Sequence, residues 1–246
     1  MGEKILILAP SGFGKTTSIC AIPELNHKGL NPKETFLIST TAKGMPVPNS
    51  GYNLIKEGEK IDIENFSTGN RYATNNYQFI VPLIQKLNQS PKIKNIVIDD
   101  FNYLLQDYFV DTISQKGFDK FNTIGSFTGQ ILNILDESVK NDKNVFVLAH
   151  SENIIMPDDR IYVKMKTVGK LVDDKITPEG KFQYVLIGVS FYDKEKQKVQ
   201  KMFLTNENEN YASGKTPYGV FKEELIPNDL GLILDTIQNY KNNNKK

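Results

Sequence analysis

Ten residues near the start of the chain, APSGFGKTTS at 9–18, leave little freedom in what the rest can fold into. An apolar run, KILIL at 4–8, leads into them, as a buried parallel strand would. Residues 9–16 fit the spacing G-x-x-x-x-G-K-[ST] at Gly14, Lys15 and Thr16, with Ala9 where the first glycine usually stands. A small residue there still permits the turn. Gly12 and Gly14 let backbone N–H groups face inward as an anion cradle, to which Lys15 adds an ammonium and Thr16 a hydroxyl. These donors fit a nucleoside triphosphate with Mg²⁺. Pro10, Ser11, Gly12, Phe13, Gly14, Lys15, Thr16 and Thr17 would wrap the phosphates. Lys15 would reach the β- and γ-phosphates, and the Thr16 hydroxyl would ligate the metal. A helix over 16–25, ending near Pro23, is expected to follow and to add its positive end.

Such a loop needs an acidic partner for its magnesium at the end of a neighbouring strand. NIVIDD at 95–100 supplies one: Asp99 is the expected metal residue, acting through water. Asp100, one position on, either polarises an attacking water or caps the helix that begins after it. Between Lys15 and Asp99 there is room for a further strand at 35–40 (TFLIST) and a helix. That spacing fits the branch of P-loop proteins with an inserted strand, to which RecA-like and AAA+ ATPases belong. No N-K-x-D guanine-reading motif follows. His150 ends the strand VFVLAH (145–150), either as a sensor of the γ-phosphate or as a satisfied strand-end histidine. His27 reads as an ordinary loop residue.

Helical spacing is expected over 75–88, with Pro82 starting or kinking the helix, over 103–115 and over 126–140. A break is expected at 117–122, a short strand at 52–56 and irregular chain through the rest of 43–70. Residues 183–192 and 198–205 read as a hairpin around the turn DKEKQ, with the first strand central. Asn228 is the expected cap of a last helix through Leu230, Ile233, Leu234, Ile237 and Tyr240. The expected fold class is α/β: a P-loop NTPase with a mainly parallel central sheet and a C-terminal β-hairpin. Residues 1–240 form one domain and 241–246 a disordered tail.

RIYVKMKTVGK at 160–170 is the second chemistry-bearing stretch. A period of two places Arg160, Tyr162, Lys164 and Lys166 on one strand face. These cations, with Lys170, either reach a neighbouring subunit's γ-phosphate, grip a single-stranded backbone while Tyr162 stacks on a base, or simply face solvent. Composition limits the alternatives. Net charge is +1, so polyanions feel no global field, and a nucleic-acid site must be a local patch. Of 30 basic residues only Arg71 and Arg160 are arginines, which rules out an Arg-rich lid. Cys20 is the single cysteine, and no apolar run approaches a membrane span, so a reducing cytoplasm is expected.

Over residues 3–240 the chain resembles the phage-encoded RecA-like ATPases, including those described as Sak-type single-strand annealing proteins. The likeness rests on APSGFGKTT, VIDDFNYLLQDYF, KGFDKFNTIG, VFVLAHSE, KMKTVGKLVDDKITPEGKF and SGKTPYGVFKEELIPNDL. It implies a RecA-like core without accessory domains, binding ATP between subunits of a homo-oligomeric ring or filament in a bacterial host cell. It also implies a DNA-binding loop after His150, trans-acting cations at Lys164 and Lys166, and Lys215 near a subunit boundary. The chain departs from its RecA-like relatives at LISTTAK (37–43), which carries no catalytic carboxylate.

The reading is an ATPase of phage recombination or replication, with catalytic residues Lys15, Asp100 and His150, that binds single-stranded DNA and uses Mg-ATP to control its grip. A single-strand-binding or replication protein is a further expected partner. Its rivals are an AAA+-like helicase loader or motor and a nucleotide-gated module without significant hydrolysis.

Overall fold

The apolar runs KILILA and NIVID, every residue buried, are the centre of the sheet in the computed structural model, which describes residues 1–114, 119–168 and 177–244. Among the described residues the elements are β1 (Lys4–Ala9), β2 (Thr35–Ser39), β3 (Arg71–Ala73), α1 (Tyr77–Gln89), β4 (Asn95–Asp99), α2 (Asn102–Asp111), α3 (Asp119–Lys140), β5 (Asn144–Ile155), β6 (Ile161–Met165), β7 (Tyr184–Asp193), β8 (Lys198–Leu204), β9 (Leu225–Pro227) and α4 (Leu230–Asn243). The strand order is β3-β2-β4-β5-β1-β7-β8-β9, with β6 paired to β5. Pairings from β3 through β7 are parallel, and those of β6, β8 and β9 are antiparallel. The expected fold class is therefore observed, including the C-terminal hairpin and a central β7 between β1 and β8.

Both faces of the sheet are covered, as parallel strands require. Leu6 and Leu8 of β1 pack toward α1, α2 and α3, while Ile5, Ile7 and Ala9 pack toward Leu230, Ile233 and Ile237 of α4. The strand between the loop-bearing β1 and the carboxylate-bearing β4 is β5. The strand at 35–40, which lies between the two motifs in sequence, stands outside β4 as β2.

The structure corrects several expectations. In place of the helix over 16–25 there are two 3-10 turns, Thr17–Ile19 and Pro23–Leu25. The chain then doubles back through paired Ile22 and His27 backbones. The N–H groups of Lys28 and Gly29 donate to the Asp229 carboxylate at 2.6 and 3.0 Å. A Cβ at Gly29 would lie 2.3 Å from Cys20 carbonyl carbon, so the return is tight, and α4 fills this face of the sheet. The α4 cap is Asp229, whose carboxylate accepts from Gly231 and Leu232 N–H, rather than Asn228. Pro82 lies inside α1 and does not end it. Helix α3 begins at Asp119, within the expected break at 117–122, of which 117 and 118 lie outside the described residues. Residues 52–56 form only an isolated bridge, Leu54 to Arg71. Residues 241–243 of the expected tail belong to α4.

Candidate functional site

Parallel pairing brings the C-terminal ends of β1, β2 and β4 to one edge of the sheet, where α/β folds place their sites. His150 lies beside them; it does not end its strand as expected, because β5 runs on to Ile155 to pair with β6. Ala9 is in register with His150, and Ser39 with Asp99. Because β5 separates β1 from β4, His150 stands between the loop and the two carboxylates. A cleft of about 350 Å³ opens there, lined by Gly12, Gly14, Lys15, Thr16, Lys43, Arg71, Asp99, Asp100 and His150 among others.

The loop backbone has the form the sequence required. Gly12 and Gly14 take φ of +75° and +104°, which L side chains rarely adopt. Phe13 is buried, with its ring 5.6 Å from that of Phe203, so its side chain belongs to the core, and its N–H donates to the Pro10 carbonyl at 3.4 Å. Lys15 is also buried. Its Nζ donates to the Ala9 and Pro10 carbonyls at 3.1 and 3.3 Å and lies 3.4 Å from His150 Nδ1. Burial lowers its pKa, and the nearby charges of Asp100 and Asp99 oppose that shift. The Thr16 hydroxyl donates to Asp99 Oδ2 at 2.7 Å.

The two carboxylates have opposite surroundings. Burial, with the charge of Asp100 added, pushes the Asp99 carboxyl up to about 6. Its Oδ1 is buried and has no hydrogen-bond partner. That orphaned oxygen beside the Thr16 hydroxyl fits Mg²⁺, a hard cation that keeps several waters and takes its remaining ligands from one or two protein oxygens and the substrate phosphates. Asp100 is half-buried. Burial pushes its pKa up, but His150 and Lys15 outweigh it and hold the carboxyl below its ordinary value. His150 Nε2 lies 3.3 Å from Asp100 Oδ1, so one imidazole touches both Lys15 and Asp100.

Three groups in or beside the cleft escaped the sequence reading. Asn102 is buried; its side chain accepts from His150 N–H and donates to the Lys166 carbonyl, joining β5 to the segment after β6. Arg71 is buried and donates to Ser39 Oγ at 2.9 Å and to the Thr41 and Lys43 carbonyls. It fixes the LISTTAK segment against the cleft, where Thr40 Oγ1 in turn donates to the Asp100 carbonyl at 2.9 Å. Lys43 reaches over the Tyr103 ring at 5.5 Å. Arg71 did carry a signal, being one of only two arginines. Asn102 carried none beyond its place two residues after Asp100.

The second stretch of cations is not in the cleft. Just before β6, Arg160 pairs with Asp158 at 2.7 Å and Glu207 at 3.3 Å, and on β6 Lys164 lies 3.7 Å from Glu152. Tyr162 stands opposite Ile154. Lys166 is exposed, and its N–H donates to the His150 carbonyl at 2.8 Å. Lys170 lies outside the described residues. Lys215 pairs its backbone with Val185 and donates from Nζ to the Glu179 carbonyl at 3.2 Å. His27 proves more than a loop residue: its ring nitrogens sit 2.7 Å from the Cys20 carbonyl and 2.6 Å from the Asn228 carbonyl.

No family model matches the chain, and no curated protein matches it. Among solved structures, the flagellar accessory protein FlaH from Methanocaldococcus jannaschii aligns over 87% of this chain and 83% of its own, with a TM-score of 0.40 and 10% identity. A likeness at that level says nothing of function. No helix among the described residues is long and apolar enough to cross a membrane.

Proposed function

We propose that the chain is a Mg-ATP-binding P-loop ATPase with a RecA-like core. The observation that carries this reading is the cleft itself: the Thr16 hydroxyl on Asp99, the unpartnered Asp99 Oδ1, and Lys15 held over them by carbonyls it can exchange for phosphate oxygens. Thr16 and Asp99 would hold Mg²⁺, which when bound neutralises charge on the phosphate oxygens. Backbone N–H groups from Gly12 to Thr17 would bind the phosphates, and Lys15 would leave Ala9 and Pro10 to join them. Asp100 would orient the attacking water and accept its proton, while His150 reports on the γ-phosphate through Lys15 and Asp100. A carboxylate held below its ordinary pKa is a weak base, so slow turnover is expected.

We further propose that the protein works in phage recombination or replication, in the cytoplasm of a bacterial host, as an oligomer on single-stranded DNA. Support comes from the link between the cleft and the β5–β6 hairpin. His150 is tied through Asn102 and by its own carbonyl to Lys166, so a change at the phosphate end has a path to that surface. With Arg160 and Lys164 facing carboxylates, Lys166 and Tyr162 are, among the described residues of this stretch, the groups offered to a nucleic acid. The depressed Asp100 favours a second reading, a nucleotide-gated module that hydrolyses little.

Steady-state ATP hydrolysis, measured alone and with single-stranded or duplex DNA, tests these readings. Stimulation by single strands is expected. A flat rate with tight ATP binding would favour the gated module, and a wild-type rate equal to that of Lys15→Ala would rule out the ATPase.

A further inference from the structure

The phosphate loop has an unusual anchorage. Only two short 3-10 turns, Thr17–Ile19 and Pro23–Leu25, follow it before β2, so it lacks the long helix that would fix it from behind. What holds it instead comes from the far end of the chain. On β8, Phe203 stacks against Phe13 with ring centroids 5.6 Å apart. Two residues away, on the same face of the strand, Lys201 donates from Nζ to the Gly12 carbonyl at 2.6 Å. The opposite strand of the hairpin closes on the same point, since a Cβ at Gly188 of β7 would lie 2.5 Å from Ala9 Cβ and 2.9 Å from the Phe13 ring. Phe203 and Gly188 are partners across the hairpin, as are Lys201 and Ser190. One face of the β7–β8 hairpin thus grips two successive residues of the loop.

We propose that this hairpin sets the shape of the phosphate loop, and that Lys201 is the positioning residue through which it does so, a proposal that rests on the nucleotide-binding reading above. Phe203 and Gly188 lock the Phe13 side chain into the core. Gly12 has no such lock: it is exposed, and a Cβ there would meet nothing within 4 Å. At φ +75° its peptide depends on polar contacts to hold its direction. Fixing the Gly12 carbonyl also fixes the N–H of Phe13, which shares that peptide plane. That N–H donates to the Pro10 carbonyl at 3.4 Å, so Lys201 holds the turn from Pro10 to Phe13 in shape without touching the phosphates. Lys201 is absent from the lining of the cleft, as a residue acting from behind the loop should be.

The test is equilibrium binding of Mg-ATP and Mg-ADP to wild type, Lys201→Met, Lys201→Arg and Lys15→Ala, with thermal unfolding of each followed in the absence of nucleotide. Lys201 is exposed, so its variants should fold. The expected result is a five- to tenfold weaker Kd for Lys201→Met with both nucleotides, recovery to within about twofold in Lys201→Arg, and an unchanged melting temperature. Wild-type affinity in Lys201→Met would overturn the positioning role and leave the P-loop reading standing. Equal losses in the Met and Arg variants alongside a lowered melting temperature would reduce Lys201 to a structural contact and also overturn it. A wild type that binds nucleotide no better than Lys15→Ala would overturn both the proposal and the reading beneath it.

Discussion

Asp100 meets two demands in one residue. Its φ of +60° is a conformation that Asp and Asn tolerate better than most non-glycine residues. Its carboxylate faces His150 and Lys15. Asp100→Asn keeps the backbone preference and the side-chain shape while removing the charge. Turnover in that variant should fall by at least about tenfold, with Mg-ATP affinity within about threefold of wild type. Equal loss of binding and turnover would show that Asp100 builds the site rather than working in it. Cys20 gives a second prediction at this scale. Burial pushes its thiol up to about 11, so at pH 8 labelling of the native protein by iodoacetamide should run at least about a hundredfold slower than labelling of the unfolded chain. The folded thiol holds its proton more tightly than the unfolded one. Its contribution to stability is therefore full below pH 9 and is lost as pH rises toward 11. Burial pushes Tyr184 up to about 12 in the same sense, so unfolding midpoints should decline above pH 9.

At the scale of elements, the strands were legible and their fastenings were not. KILILA, TFLIS and NIVID announced themselves because a strand buried on both faces must be apolar throughout. The P-loop, Asp99 and Asp100 were legible because the chemistry fixes their spacing and their place at strand ends. The helix expected after the loop was not there: the chain turns back through Ile22 and His27, the Asp229 carboxylate, about two hundred residues downstream, holds that return at Lys28 and Gly29, and α4 fills this face of the sheet. Sequence pattern sees neighbours along the chain, and such long-range bonds override it. Asn102 is the same kind of contact. Replacing it with Ala strands the His150 N–H and removes the tie to Lys166. Asn102→Ala should cost about 1–3 kcal/mol in denaturant unfolding, and it should weaken any effect of DNA on the ATPase rate. A variant of wild-type stability that kept the full DNA response would remove Asn102 from the path between cleft and hairpin.

For the whole molecule, one sheet edge collects the loop, the two carboxylates and His150, and the C-terminal hairpin reaches back to hold that edge in shape. A chain built this way should answer to nucleotide as a unit. Saturating Mg-ATP should raise the unfolding midpoint, by an amount that grows with the logarithm of ligand concentration, and ADP should do so less. The measurement that bears most directly on the central claim is calorimetric titration of ATP into wild type and Lys15→Ala, with Mg²⁺ and again with EDTA. One site per chain is expected, at least about tenfold weaker in EDTA and lost in Lys15→Ala. Absence of binding, or binding that ignores both Lys15 and the metal, would contradict it.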